Sequence, residues 1–245
     1  MVNYQIKNTS FFLKYLKQLG KIIDECWIEF GGKIRLFGMG PSRISVFEFM
    51  LGDDCMEIIE DEDIKIAINL SDLEKVLKRF TKDSSIFIKT GDNKLIITGD
   101  IKNKTKTFRL SQIDMEQTDK DPLPKLSKIP YNVILKMNGV DFKDSLKDSE
   151  ICSEIITMET KGNDLYLSSI GYCNSVDIKY EMDYEIYADE KASYSIKFLL
   201  NMIEPMKNSE ITIMFKSDYP MVMFEKISSK SWMKWYLAPR ISEDD

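Results

Sequence analysis

Near its middle the chain carries a segment that neither a helix nor a sheet would readily absorb. Residues 112–131, QIDMEQTDKDPLPKLSKIPY, hold three of the seven prolines (Pro122, Pro124 and Pro130) and no glycine. Proline fixes φ and turns the preceding residue away from helix, so the segment reads as an extended, fairly stiff connector. Leu123, Leu126 and Ile129 recur at every third position, the pattern of a strap lying against a surface. With the strap placed at 115–131, segments 1–114 and 132–245 are equal in length, which raises the question of whether they are copies.

The first segment opens with a strand at 4–7 and a helix to about residue 23, capped by Thr9 or Ser10. Phe11, Phe12, Tyr15, Leu16, Leu19, Ile22 and Ile23 fill one arc of this helix, and Lys14, Lys17 and Lys21 the other, with Gln18 beside them. Strands follow at 26–30, 33–37 and 44–51, the first two joined through Gly31-Gly32. An acidic stretch at 53–63 precedes a strand at 64–69. The next helix, 71–80 with Ser71 as its cap, buries Leu73, Val76, Leu77 and Phe80 and turns Lys75, Lys78, Arg79 and Lys82 outward. Strands at 85–89, 95–99 and 105–110 complete the segment.

The order then repeats. A strand at 132–137 leads into a helix over 138–149, and strands follow at 154–159, 164–169, 174–180 and 184–187. A helix over 192–203 and strands at 210–215, 221–226 and 231–237 end the chain. Ile196, Leu199, Leu200 and Ile203 have the spacing of Leu73, Val76, Leu77 and Phe80, and an alternating strand follows each set. The expectation is an α+β chain of two similar domains, 1–114 and 132–245, each with two helices backed by antiparallel sheet.

Several functions are excluded or left without support. The chain has no histidine, which removes Ser–His and Cys–His nucleophile pairs and histidine-based metal sites. Cys26, Cys55, Cys152 and Cys173 form no C-x-x-C pair and are expected as reduced thiols. The carboxylates Asp53, Asp54, Glu57, Glu60, Asp61, Glu62 and Asp63 lack the regular spacing of a metal site. The glycines at 38 and 40, and the Gly32-Lys33 pair, do not match a phosphate loop. We expect no enzyme, no cofactor and no metal. With no long apolar run and no apolar leader, an intracellular, cytoplasmic protein is expected.

The lysine-bearing helix faces stand out in a chain whose net charge is −6. The plain reading is a solvated surface. The sharper one is a single positive side that meets the phosphate backbone of duplex DNA, contacting it without reading bases. The second segment contributes less: Lys143 and Lys147 share a helix with Asp141, Asp144 and Asp148, and the last helix offers Lys197.

The ending Trp235-Tyr236-Leu237-Ala238-Pro239-Arg240-Ile241, followed by Glu243, Asp244 and Asp245, resembles the closing strand and tail of the proliferating cell nuclear antigen family of sliding clamps. Asp218-Tyr219-Pro220-Met221, Glu25-Cys26-Trp27, Met39-Gly40-Pro41-Ser42-Arg43 and Asn69-Leu70 extend the likeness over nearly the whole length, closer to its archaeal branch. The resemblance implies a ring of three subunits whose helices face duplex DNA, a nucleoid-associated protein if archaeal. By position it places Lys14, Lys75, Lys78, Lys147 and Lys197 toward the DNA, with Asp144 departing from the pattern; Lys17, Lys21, Arg79 and Lys82, on the same helix faces, are expected beside them. It further implies an apolar groove for short partner peptides, made by Met39, Ile44, Val46, Leu123, Leu126, Pro220, Tyr236, Ala238 and Pro239, with Arg43 at its rim. Ile44 and Val46 are equally readable as core. The partners implied are DNA polymerase, the clamp loader, flap endonuclease and DNA ligase. Subunits would join through Lys104, Thr105, Lys106, Thr107, Phe108, Arg109 and Leu110 on one side and Asn174, Ser175, Val176, Asp177, Ile178, Lys179 and Tyr180 on the other. Whether the neighbour is the same chain stays open, as does a clamp-fold scaffold that does not encircle DNA.

Overall fold

The two-residue alternation of apolar side chains dominates the chain, and in the computed structural model it becomes, among the described residues, seventeen strands and five short helices. Residues 1–7, 9–80, 84–115, 122–183, 186 and 188–240 are described. They divide into two compact units, Met1–Asp121 with Lys226–Met233, and Pro122–Glu225 with Lys234–Asp245.

In the first unit the elements are β1 (Asn3–Ile6), α1 (Thr9–Leu19), β2 (Glu25–Phe30), β3 (Ile34–Met39), β4 (Ser45–Leu51), β5 (Met56–Glu60), β6 (Lys65–Asn69), α2 (Leu70–Leu77), β7 (Ile86–Gly91), β8 (Lys94–Ile101) and β9 (Lys104–Ser111). One antiparallel sheet runs β5-β1-β7-β8-β9, and the strands β4-β3-β2-β6 lie in another. The tight connections need left-handed backbone. Gly31 and Gly32 supply it between β2 and β3 (φ 136° and 67°), and Asp92 and Asn93 between β7 and β8 (φ 49° and 55°). Phe12 and Tyr15 of α1 stack on Phe49 of β4 at 6.0 and 4.9 Å, seating the helix on sheet. Helix α1 packs beside α2.

The second unit contains α3 (Leu123–Leu126), β10 (Val133–Asn138), α4 (Gly139–Glu150), β11 (Ile155–Lys161), β12 (Asp164–Ile170), β13 (Ser175–Glu181), β14 (Lys191–Ser195), α5 (Ile196–Ile203), β15 (Glu210–Phe215) and β16 (Met221–Lys226). A last strand, β17 (Trp232–Leu237), ends the described secondary structure. The sheet β13-β12-β11-β14 and the strands β10-β15-β16 carry the paired helices α4 and α5. Phe142, Leu146, Leu199 and Ile203 are buried where these helices meet the strands. Setting aside the single turn α3, each unit holds one pair of adjacent helices with strands of two sheets, the order that the spacings predicted.

Four local expectations are corrected. Helix α2 starts one residue earlier than expected, because the Asn69 side-chain oxygen, not Ser71, accepts the Asp72 amide at 3.1 Å. The acidic stretch contains a strand, β5, which pairs with β1 as an edge and buries only Met56 among its side chains. Residues 192–195, read as helix, belong to β14, because their backbone pairs with β11 (Ile155↔Ser195, Thr157↔Ser193). The connector is not extended throughout: Pro122 precedes a single helical turn, closed where the Ser127 amide donates to the Leu123 carbonyl at 2.8 Å. Positions 184, 185 and 187 of the strand expected at 184–187 lie outside the described residues, as do connector positions 116–121, Lys82 and the terminal residues 241–245.

Candidate functional site

Three surfaces carry the residues singled out from the sequence. The first is the outer face of the helices. Lys14, Lys17, Lys21, Lys75, Lys78, Arg79, Lys147 and Lys197 are all exposed. Their charge is partly answered from within: Lys75 lies 3.0 Å from Asp72, Lys78 2.5 Å from Glu74 and Lys147 3.4 Å from Asp144. Among the described residues Lys17, Lys21 and Lys197 form no ion pair. Gln18, expected beside the lysines, is instead buried at 6% exposure. On α4, Lys143 turns away from the outer face to Glu204, which also takes Lys207 at 2.7 Å. Burial alone would raise the Glu204 carboxyl, but these two ammonium groups hold it down at about 2.

The second surface is concave: an apolar depression in the second unit and a more polar one in the first. In the second unit Leu126 and Tyr236 line one depression with Ile129, Tyr131, Ile134, Met214 and Lys234. The Tyr131 hydroxyl donates to the Pro220 carbonyl at 2.8 Å, tying the end of the connector to the β15–β16 turn. Burial pushes the Tyr131 phenol above its ordinary range. Leu123 is buried at 4% exposure, under the lining rather than on it. Pro220, Ala238 and Pro239 are half-buried. In the first unit Met39 and Arg43 line a second depression with Gly40, Pro41, Met115, Asp24 and Glu25. It forms at the β3–β4 turn, where the Arg43 amide donates to Gly40 and the Gly40 amide to Ser45, both at 2.8 Å. A side chain at Gly40 would meet Ser45 Oγ at 2.6 Å, so any larger residue there would have to displace the buried Ser45 hydroxyl. Ile44 is exposed, whereas Val46 is buried at 6% exposure.

Ile134 and Met214 were missed from sequence, although a signal existed. They face each other across β10 and β15, and Ile134 is 55% exposed where the alternation calls for a polar residue.

The third surface is a pair of sheet edges. β9 ends the five-stranded sheet and β13 ends the four-stranded one. Both alternate between half-buried and exposed side chains along their length. Phe108 packs edge-on against Phe80 at 5.8 Å, and the Tyr180 hydroxyl lies 2.5 Å from Ser145 Oγ.

The acidic stretch has structural work. Asp54 accepts from Ser229 Oγ at 2.9 Å, the Lys230 amide at 2.8 Å and Ser231 Oγ at 2.8 Å, pinning the 228–231 turn. Burial would raise its carboxyl, but the hydrogen bonds of this turn hold it far below the usual range. Asp61 accepts from the Gly32 amide at 2.7 Å and from the Tyr4 hydroxyl. Among the described residues no group of three or more Cys, Asp or Glu side chains is arranged to hold a metal ion. None of the described helices is long and apolar enough to cross a membrane.

Comparison with known proteins adds an independent line. The model of the family "Proliferating cell nuclear antigen, N-terminal domain" matches residues 1–121. The DNA polymerase sliding clamp of Pyrococcus furiosus is 27% identical over 243 residues, 95% of each chain. DNA polymerase sliding clamp 1 of Thermococcus kodakarensis is 27% identical over 242 residues, again 95% of each. Among solved structures, PCNA from Thermococcus kodakaraensis superposes with a TM-score of 0.87 at 18% identity, covering 98% of this chain and 100% of that one. The PCNA2–PCNA3 complex of Sulfolobus tokodaii gives 0.83 at 22% identity, covering 97% and 99%.

Proposed function

We infer that this chain, which belongs to the proliferating cell nuclear antigen family, is a DNA sliding clamp of the archaeal type. The observation that carries this reading is the likeness to curated DNA polymerase sliding clamps over 95% of both chains. A clamp holds DNA by topology, not by affinity. A closed ring around a duplex has no sideways exit, so weak and salt-screened contacts suffice and sliding stays fast. The helix faces suit such a role, since lysines on flexible stems meet phosphates without reading bases, and several are tempered by neighbouring carboxylates.

In this reading three subunits close the ring through the β9 and β13 edges, which removes two edges that would otherwise invite aggregation. Lys14, Lys17, Lys21, Lys75, Lys78, Arg79, Lys147 and Lys197 face the duplex. The apolar depression around Leu126 and Tyr236, and the more polar one around Met39 and Arg43, take short peptides of DNA polymerase, clamp loader, flap endonuclease and DNA ligase. The chain performs no chemistry in this role; it tethers enzymes that do.

Primer extension on a long primed circle, with a cognate polymerase and loader, tests the reading. The expected result is longer products per binding event when the clamp is present. Products of unchanged length, with a clamp that has assembled, would contradict it.

A further inference from the structure

We propose that phosphate contact is carried by the helices of the first unit and opposed by α4 of the second, where Asp144 and Asp148 repel the duplex and keep the grip loose. The proposal rests on the clamp reading for the presence of a duplex, and on the chain's own repeat for which residues meet it.

The repeat sets the helices of the two units in register. Counted from their first residues, Thr9 in α1 and Gly139 in α4, the buried Phe12 and Leu16 fall on the buried Phe142 and Leu146. Counted from Leu70 in α2 and Ile196 in α5, the buried Leu73, Val76 and Leu77 fall on the buried Leu199, Met202 and Ile203. This second match lies one turn away from the one that spacing alone suggests, and β6 and β14, which lead into the two helices, agree with it.

With the buried faces aligned, the exposed ones can be compared position by position. Lys14 falls on Asp144, Lys21 on Ile151, Lys75 on Asn201 and Lys78 on Glu204. Among these lysines only Lys17 has a basic counterpart, Lys147, which lies 3.4 Å from Asp144. Glu204 sits between Lys143 and Lys207, so those two ammonium groups are also engaged within the chain. Lys197, where the first unit has Ser71, is the second unit's remaining exposed cation on these two helices. The fold is repeated, but the charge is not.

On α4 the sign is reversed. Asp141, Asp144 and Asp148 are all exposed and, at three- and four-residue spacing, fall within ~60° of one another around the helix. Burial raises the Tyr180 phenol, and these three carboxylates push it the same way, so their fields add at one point. Among the described residues Asp141 and Asp148 form no ion pair. Core packing does not call for these exposed groups. Asp148 also stands in the last turn of α4, where the helix dipole disfavours negative charge, so local stability does not call for it. By contrast α1 carries Lys14 and Lys17 and no carboxylate. A phosphate backbone with one charge per ~1.7 Å is drawn to the first surface and repelled by the second. Where closure of a ring holds the DNA, such opposition loosens the grip without releasing the duplex.

The test is binding of a labelled linear duplex by the full chain, assembled into its ring, at several salt concentrations. Asp148→Asn frees no lysine and is expected to raise affinity about twofold at low salt, a gain that fades as salt screens it. Asp144→Asn also releases Lys147, so about fourfold is expected, with a salt slope steeper by up to ~0.9. Lys14→Ala with Lys17→Ala is expected to lower affinity and flatten the slope by up to ~1.8. Sedimentation and thermal denaturation identify the variants that are folded and assembled. Unchanged affinity in both aspartate variants, or a gain undiminished at high salt, would overturn the proposal. Full binding after loss of both first-unit lysines would overturn it too. Duplex binding that is indifferent to α4 leaves the clamp reading intact. A chain that binds no duplex even at low salt, and is not retained on circular DNA, overturns both.

Discussion

Removing two carboxylates from α2 should strengthen contact with DNA, although neither touches it. In the proposed clamp, Lys75 and Lys78 face the duplex while held 3.0 Å from Asp72 and 2.5 Å from Glu74. Exposed helix pairs of this spacing contribute ~0.3–0.5 kcal/mol each. A lysine that leaves its carboxylate for a phosphate forfeits that amount. Asp72→Asn with Glu74→Gln therefore releases about 0.8 kcal/mol per helix engaged, close to a fourfold gain in affinity for a short linear duplex. The freed lysines should also steepen the fall of log affinity with log salt, by up to ~0.9 for each new phosphate contact. Fluorescence anisotropy of a labelled duplex, titrated at several salt concentrations, reads both quantities. Asp72 lies in the first turn of α2, where negative charge is favoured, so a small loss of stability, ~0.3–1 kcal/mol, accompanies the gain. Unchanged affinity in a folded variant, or a gain that persists undiminished at high salt, would refute the reasoning.

Other outcomes follow from the same geometry. Leu126→Asp should weaken docking of a short apolar partner peptide at least ~10-fold, because a charge would enter an apolar lining, while sedimentation of the variant stays unchanged. Asn69→Ala removes the side-chain acceptor that caps α2 and should cost about 1 kcal/mol, read as a lower denaturation midpoint. Glu204, held near 2 between Lys143 and Lys207, is lowered on folding, so its stabilisation is complete above the ordinary glutamate range and fades as pH falls toward 2. Glu204→Gln should flatten that part of the stability–pH curve; an unaltered acid slope would place the dependence elsewhere.

Much of the fold was legible because its signals are local. The stripe Leu73, Val76, Leu77 and Phe80 is buried, and its counterpart Ile196, Leu199 and Ile203 is too, since a three-and-four spacing has one way to hide on a helix. The alternation in β9 and β13 located both strands within a residue or two, although that they are sheet edges was implied only by the family resemblance. The misses arose where partners lie far along the chain. Strand β5 is acidic and buries one side chain, so only its pairing with β1 reveals it. Residues 192–195 follow β11 rather than the helix that comes next. Within the candidate surfaces, exposure of the lysines was readable, but not the turn of Lys143 toward Glu204, sixty-one positions away. Val46 and Leu123 entered the groove through the family resemblance, with Val46 equally readable as core, and both are buried, because position along a strand or strap does not by itself distinguish a lining residue from the core beneath it.

Encirclement is a topological property, and a loading experiment can read it without reference to any single contact. Assembled clamp is loaded onto nicked circular DNA, separated from free protein in salt high enough to screen charge contacts, and then challenged by cutting the circle once. The clamp is expected to stay with the intact circle and to leave the linear product by sliding off its ends. Clamp lost from the intact circle at that salt, or retained equally on circle and line, would contradict encirclement.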